Sequence, residues 1–122
     1  MDHRQLVRTI SAGRIAVGAG LILLPGTGAS RWVGPAAHDP TVKVLVRALG
    51  VRDLALGAGT MQALAAGEPA RAWTRAGAAS DAVDAVATLL AFRRIGARRA
   101  VPLLAVAIVA AAACYTSAEH LD

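Results

Sequence analysis

Cysteine and lysine each occur once in these 122 residues, and phenylalanine, tyrosine and tryptophan together make up only 3%. The lone Cys114 can close no internal disulfide and offers a single thiolate, which excludes a disulfide framework or a cysteine-built zinc cage within one chain. Scarce aromatics remove the stacking platforms that hold single-stranded nucleic acid. The basic residues form short clusters between apolar stretches rather than one stripe, so no nucleic-acid partner is expected. Histidine is equally thin: His3, His38 and His120 are scattered, with no i, i+4 pair to hold a metal and no nearby serine or cysteine to complete a triad. No catalytic residue, cofactor or metal site is therefore expected, and the chain is not read as an enzyme. Pro25-Gly26-Thr27-Gly28 lacks the Lys-Ser/Thr of a phosphate-binding loop and reads as a turn.

What remains is apolar. Hydrophobic residues make up 56% and charged residues 17%, a composition that points to the lipid bilayer as solvent and partner. The apolar content is mostly alanine, valine and leucine, which suits close helix packing and association into a homo-oligomer or a larger membrane complex. The net charge is +5, and all but one of the cations are arginine; beside abundant alanine and glycine this is the composition of a GC-rich bacterial genome. The expected location is the cell (cytoplasmic) membrane.

Four spans are expected, at residues 10–29, 42–66, 70–92 and 100–118, forming one all-α, integral membrane four-helix bundle. The last is the clearest, because Ala100 to Ala118 contains no charge and approaches the roughly 20 residues needed to cross hydrocarbon. The first also fits a secretory signal, with Arg4, Arg8 and Arg14 ahead of a short apolar run. Asp39-Pro40 supplies a cap and a first-turn proline for the second helix, and Gly67 supplies its stop. The turn Gly67-Glu68-Pro69 is so short that the second and third helices should form a tight antiparallel hairpin. Flanking cations favour a cytoplasmic side holding Arg31, Lys43, Arg47, Arg93, Arg94, Arg98 and Arg99, with both termini outside.

Charges inside the spans carry the most information, because each is costly in hydrocarbon unless it faces protein and finds a partner. Arg14, Arg47 and Arg52 stand against Asp53, Asp81 and Asp84, three of each sign. Counting from the short turn at 1.5 Å per residue puts Arg52 level with Asp84, and Asp53 within about a turn of Arg14. Gly77, Ala78 and the two aspartates of the third span share a small, polar face, while Gly50, Asp53 and Gly57 align on the second; Gly50, Gly57, Gly77 and Ala78 are the expected packing positions. Two readings compete. An ion-pair lock would fix helix register, whereas a proton or ion path would use desolvated carboxylates in a small oligomeric transporter or proton-coupled carrier. The balance of arginine and aspartate favours the lock and a structural or accessory role, with Asp81 and Asp84 as the carrier's candidates.

Arg47-Ala-Leu-Gly-Val-Arg-Asp-Leu-Ala-Leu-Gly57 followed by Ser80-Asp-Ala-Val-Asp84, with Gly13-Arg-Ile-Ala-Val-Gly18 and Trp32-Val-Gly34, resembles the small multi-pass bacterial membrane proteins of domain-of-unknown-function family 4267. The resemblance covers nearly the whole chain and implies four helices and a membrane location. It implies no activity and no catalytic residue. The chain departs from the resemblance at the third span, where two aspartates stand in place of the expected one.

Overall fold

The computed structural model describes residues 2–122, which are almost wholly helical, with no strand among them. In order they form α1 (His3–Leu23), α2 (Pro25–Val33), a 3-10 turn (Gly34–His38), α3 (Pro40–Ala66), α4 (Arg71–Leu90), the single-turn α5 (Phe92–Ile95) and α6 (Ala97–Ala118). The fold is all-α.

Local chemistry sets most of the helix ends. The Asp2 carboxylate accepts from Gln5 N at 2.7 Å and opens α1. The expected first span, 10–29, is corrected: α1 begins at His3 and stops at Leu23, because Pro25 forces the residue before it out of helical geometry (Leu24 φ −130°, ψ 63°) and then starts α2. At α3 the expected signals operate as read. Asp39 accepts from Thr41 N at 2.8 Å and Val42 N at 3.3 Å, with Pro40 in the first turn. Gly67 ends the helix in the left-handed region (φ 70°), and Glu68 N closes onto Ala63 O at 2.9 Å. The cap of α4 comes from far away: Ala70 has no capping side chain, and the Asp122 carboxylate accepts from Ala70 N and Arg71 N, each at 3.1 Å.

The long helices pack as two antiparallel pairs, α1 on α3 and α4 on α6. In the first pair Arg4 reaches Leu64 O, Ser11 is level with Gly57, Gly18 with Gly50, and Arg47 reaches Ile22 O. The expected tight hairpin of α3 and α4 is corrected. Its turn is as short as the sequence implies, yet the two helices touch along little of their length. The small-residue face of α3 is taken up by α1, and just beyond the turn the Trp73 indole lies against Gly59, where a Cβ would meet the ring at 2.5 Å.

Apolar residues cluster at the two ends and leave the middle to the charges. Val7, Ala63, Leu64, Ala70 and Leu121 gather at one end, and Leu21, Ala29, Ala37 and Val46 at the other. Two helices, α1 and α6, are long and apolar enough to cross a membrane; only 22% and 17% of their apolar stretches are buried, where the core helix of a water-soluble domain would be mostly covered. α3 and α4 carry four of the five charged residues of the central network and fall short of that criterion.

Candidate functional site

The charges meet where the two helix pairs face each other. Arg14 on α1 donates to Asp81 on α4 and to Gly77 O at 3.0 Å, and its second amino group stands 3.7 Å from Asp53 on α3. Arg52 on α3 grips Asp84 on α4 with two parallel bonds, Nη1 to Oδ1 at 2.9 Å and Nη2 to Oδ2 at 2.6 Å, and also donates to Asp53 at 3.1 Å. The result is one unbroken chain, Asp84–Arg52–Asp53–Arg14–Asp81, that ties α1/α3 to α4/α6. The fork-to-fork geometry at Arg52 and Asp84 is the arrangement in which guanidinium and carboxylate bind most strongly. Exposure grades along it: side chains of Arg14, Asp81 and Asp53 are 10%, 11% and 14% exposed, against 27% and 24% for Arg52 and Asp84. No buried side-chain nitrogen or oxygen among the described residues lacks a hydrogen-bond partner.

The level count across the α3–α4 turn thus places Arg52 on Asp84, and Arg14 does reach Asp53. Arg47 is a correction. It lies outside the network, where its Nε donates to Ile22 O at 3.1 Å and caps the end of α1. Pro25 leaves that end short of backbone donors, and the guanidinium supplies one. Without Arg47 the network holds two arginines and three aspartates, so the expected balance of sign becomes an excess of one carboxylate.

The expected packing residues sit where close approach is needed. A Cβ on Gly50 would fall 2.7 Å from Gly18 O, and one on Gly57 2.6 Å from Ser11 O, so α1 and α3 touch backbone to backbone. Gly77 makes room for Arg14, whose Nη2 would stand 3.0 Å from a Cβ there, and Ala78 is buried beside it. Sequence reading passed over Gly18 as a packing residue, although a signal was present: Ser11 and Gly18 are seven apart on α1, as Gly50 and Gly57 are on α3.

A cavity of about 450 Å³ opens beside the network, lined by its two arginines and three aspartates, by Arg31, Trp32 and Thr88, and by apolar residues of α1 and α6 such as Val17 and Leu103. Trp32 is half-buried against this space and donates its indole N–H to Thr88 Oγ1 at 3.3 Å. Cys114 is buried and unpaired, as a packing residue. No group of three or more metal-binding side chains assembles among the described residues.

No protein-family model, no curated protein and no solved structure matches the chain. The chemistry of the site therefore rests on its geometry alone. It is a polar brace of matched donors and acceptors, set beside a cavity and holding one carboxylate more than its guanidinium groups balance.

Proposed function

We propose that the protein is a four-span membrane protein, of the kind the sequence resemblance implies, with a structural or accessory role in the cytoplasmic membrane. Its Arg/Asp chain acts as an internal lock between two helix pairs. The observation that carries this reading is that every charge in the chain has a partner on another helix, with α1/α3 and α4/α6 joined through Arg14–Asp81 and Arg52–Asp84. Charges in hydrocarbon demand such partners, and a short α3–α4 contact needs something else to fix its register. Apolar residues on the outside support the membrane setting: Leu45, Val83, Leu90, Val106 and Val109 are all more than 60% exposed, a surface suited to lipid. The close-packing glycines Gly18, Gly50 and Gly57 are consumed inside the chain, and association with a second copy or another membrane protein is assigned to the outer face of α6, where Ala105, Ile108, Val109 and Ala112 are exposed.

A small proton-coupled carrier is the second reading. It is favoured by the excess carboxylate and by the cavity in contact with Asp81 and Asp84. Paired substitutions separate the two. Asp84→Asn leaves Arg52 half-satisfied, and on the lock reading its membrane abundance falls severalfold; Arg52→Leu with Asp84→Leu restores abundance, because an apolar pair of similar volume replaces a buried ion pair at little cost. On the carrier reading the double variant restores abundance but abolishes proton flux into proteoliposomes carrying a pH-sensitive dye. Normal abundance of Asp84→Asn with unchanged flux removes both roles for Asp84.

A further inference from the structure

A second cleft, of about 540 Å³, lies at the end of the molecule where α2 meets the start of α6, and its chemistry differs from that of the central cavity. Arg31 on α2 and Arg98 and Arg99 on α6 line it together with Ser30, and no carboxylate does. None of the three arginines takes part in an ion pair among the described residues. The Arg99 guanidinium lies over Gly34, where a Cβ would meet it at 3.0 Å.

The start of α6 deepens the positive potential. A helix N-terminus is the positive end of the macrodipole and ordinarily carries an acid or a capping side chain. Here the cap is Gly96, no side chain caps it, no acid stands in the first turn, and two arginines do. Such an arrangement is unfavourable alone and becomes favourable once an anion with several acceptor oxygens sits among the three guanidinium groups.

The far side of the cleft is apolar. Pro102, Leu103 and Val106 continue from the arginines along α6, and Leu103, Val106 and Arg31 also line the central cavity, so the two spaces adjoin. An anionic head beside an apolar track is the shape of an amphiphile rather than of a free ion.

We propose that this cleft binds one anionic phospholipid, its phosphate held by Arg31, Arg98 and Arg99 and an acyl chain lying along Leu103 and Val106. The site rests on the membrane reading above, and it lies on the side that the flanking cations assign to the cytoplasm, where anionic headgroups attract basic juxtamembrane segments.

The test uses the full chain, purified in mild detergent and titrated with phosphatidylglycerol, phosphatidylcholine or inorganic phosphate under native mass spectrometry. One phosphatidylglycerol should be retained at least about tenfold more tightly than phosphatidylcholine, and Arg31→Gln/Arg98→Gln/Arg99→Gln should weaken it on the order of 100-fold. Arg98→Gln/Arg99→Gln should fall between, and Arg93→Gln/Arg94→Gln, outside the cleft, should bind like wild type. Equal retention of the two lipids, or undiminished binding by the triple variant, overturns the site. Full competition by inorganic phosphate overturns the lipid in favour of a free anion. Alkaline extraction of the same cells separates the underlying premise: chain in the pellet without lipid selectivity defeats only this site, and chain in the supernatant defeats the membrane reading with it.

Discussion

Gly18 and Gly20 stand two residues apart on α1 and answer to opposite demands. A Cβ on Gly18 would lie 2.5 Å from Gly50 O and 2.7 Å from Leu54 N, both immovable backbone atoms, whereas a Cβ on Gly20 would meet nothing within 4 Å. Alanine favours a helix over glycine by about 1 kcal/mol. Gly20→Ala should therefore raise the thermal midpoint of the detergent-extracted protein, and Gly18→Ala should lower it as α1 and α3 are pushed apart. A midpoint for Gly18→Ala at or above wild type would show that the close crossing does not form. Asp81 makes the complementary case. It is the least exposed of the three aspartates and the main partner of Arg14. Asp81→Ala leaves a buried guanidinium against Gly77 O and the more distant Asp53, and should destabilise by about 3 kcal/mol, measured by denaturant or thermal titration in micelles. A loss under about 1 kcal/mol would place the pair in the class of solvated surface bridges.

Between elements, the last residues of the chain do more than a tail ordinarily does. Asp122 caps α4, Leu121 is buried against Val7 and Leu64, and Arg71 donates back to Ala118 O at 3.2 Å, so the end of α6 and the start of α4 satisfy each other's orphan groups. Asp122→Ala should cost about 1 kcal/mol of stability, the ordinary worth of a cap, and should loosen amide protection in the first turn of α4 before anywhere else. Hydrogen exchange at Ala70 and Arg71 unchanged from wild type would count against it. Glu119 adds a pH signature. Its hydrogen bond from Arg75, reinforced by the nearby Arg71 charge, holds the carboxyl below the usual carboxylate range. A carboxylate with a lowered folded pKa stabilises above its unfolded value of about 4.3 and loses that contribution as pH falls through the folded value. The thermal midpoint should thus decline below about pH 4.3, and less steeply in Glu119→Gln.

At the scale of the whole molecule, the four-span reading makes a statement about sides. His38, in the 3-10 turn, and Glu68, in the α3–α4 turn, are both exposed and lie at opposite ends of α3. In a Cys114→Ala background, His38→Cys should react with a membrane-impermeant maleimide only in inverted vesicles, and Glu68→Cys only in intact spheroplasts. Labelling of both from one side would mean that α3 does not cross, leaving α1 and α6 as the spans.

Much of this was legible along the chain. The caps at Asp39 and Gly67 and the level pairing of Arg52 with Asp84 depend on neighbours within a helix or across one short turn, and local rules reach that far; the small faces holding Gly50, Gly57, Gly77 and Ala78 were legible too, but their partners on α1 were not. The sequence also determined that the chain is all-helical, because its apolar runs and their punctuation admit no other regular structure. Only the tertiary structure decided which helices pair. A short turn brings two helices together at one end but does not choose their neighbours along the rest of their length; that choice fell to the backbone contacts of Gly18 with Gly50 and of Ser11 with Gly57. The same pairing removed Arg47 from the charge network, brought Asp122 onto a helix 51 residues away, and set Arg31 beside Arg98 and Arg99. Each of these joins residues far apart in sequence, and no periodicity within a single helix encodes such a contact.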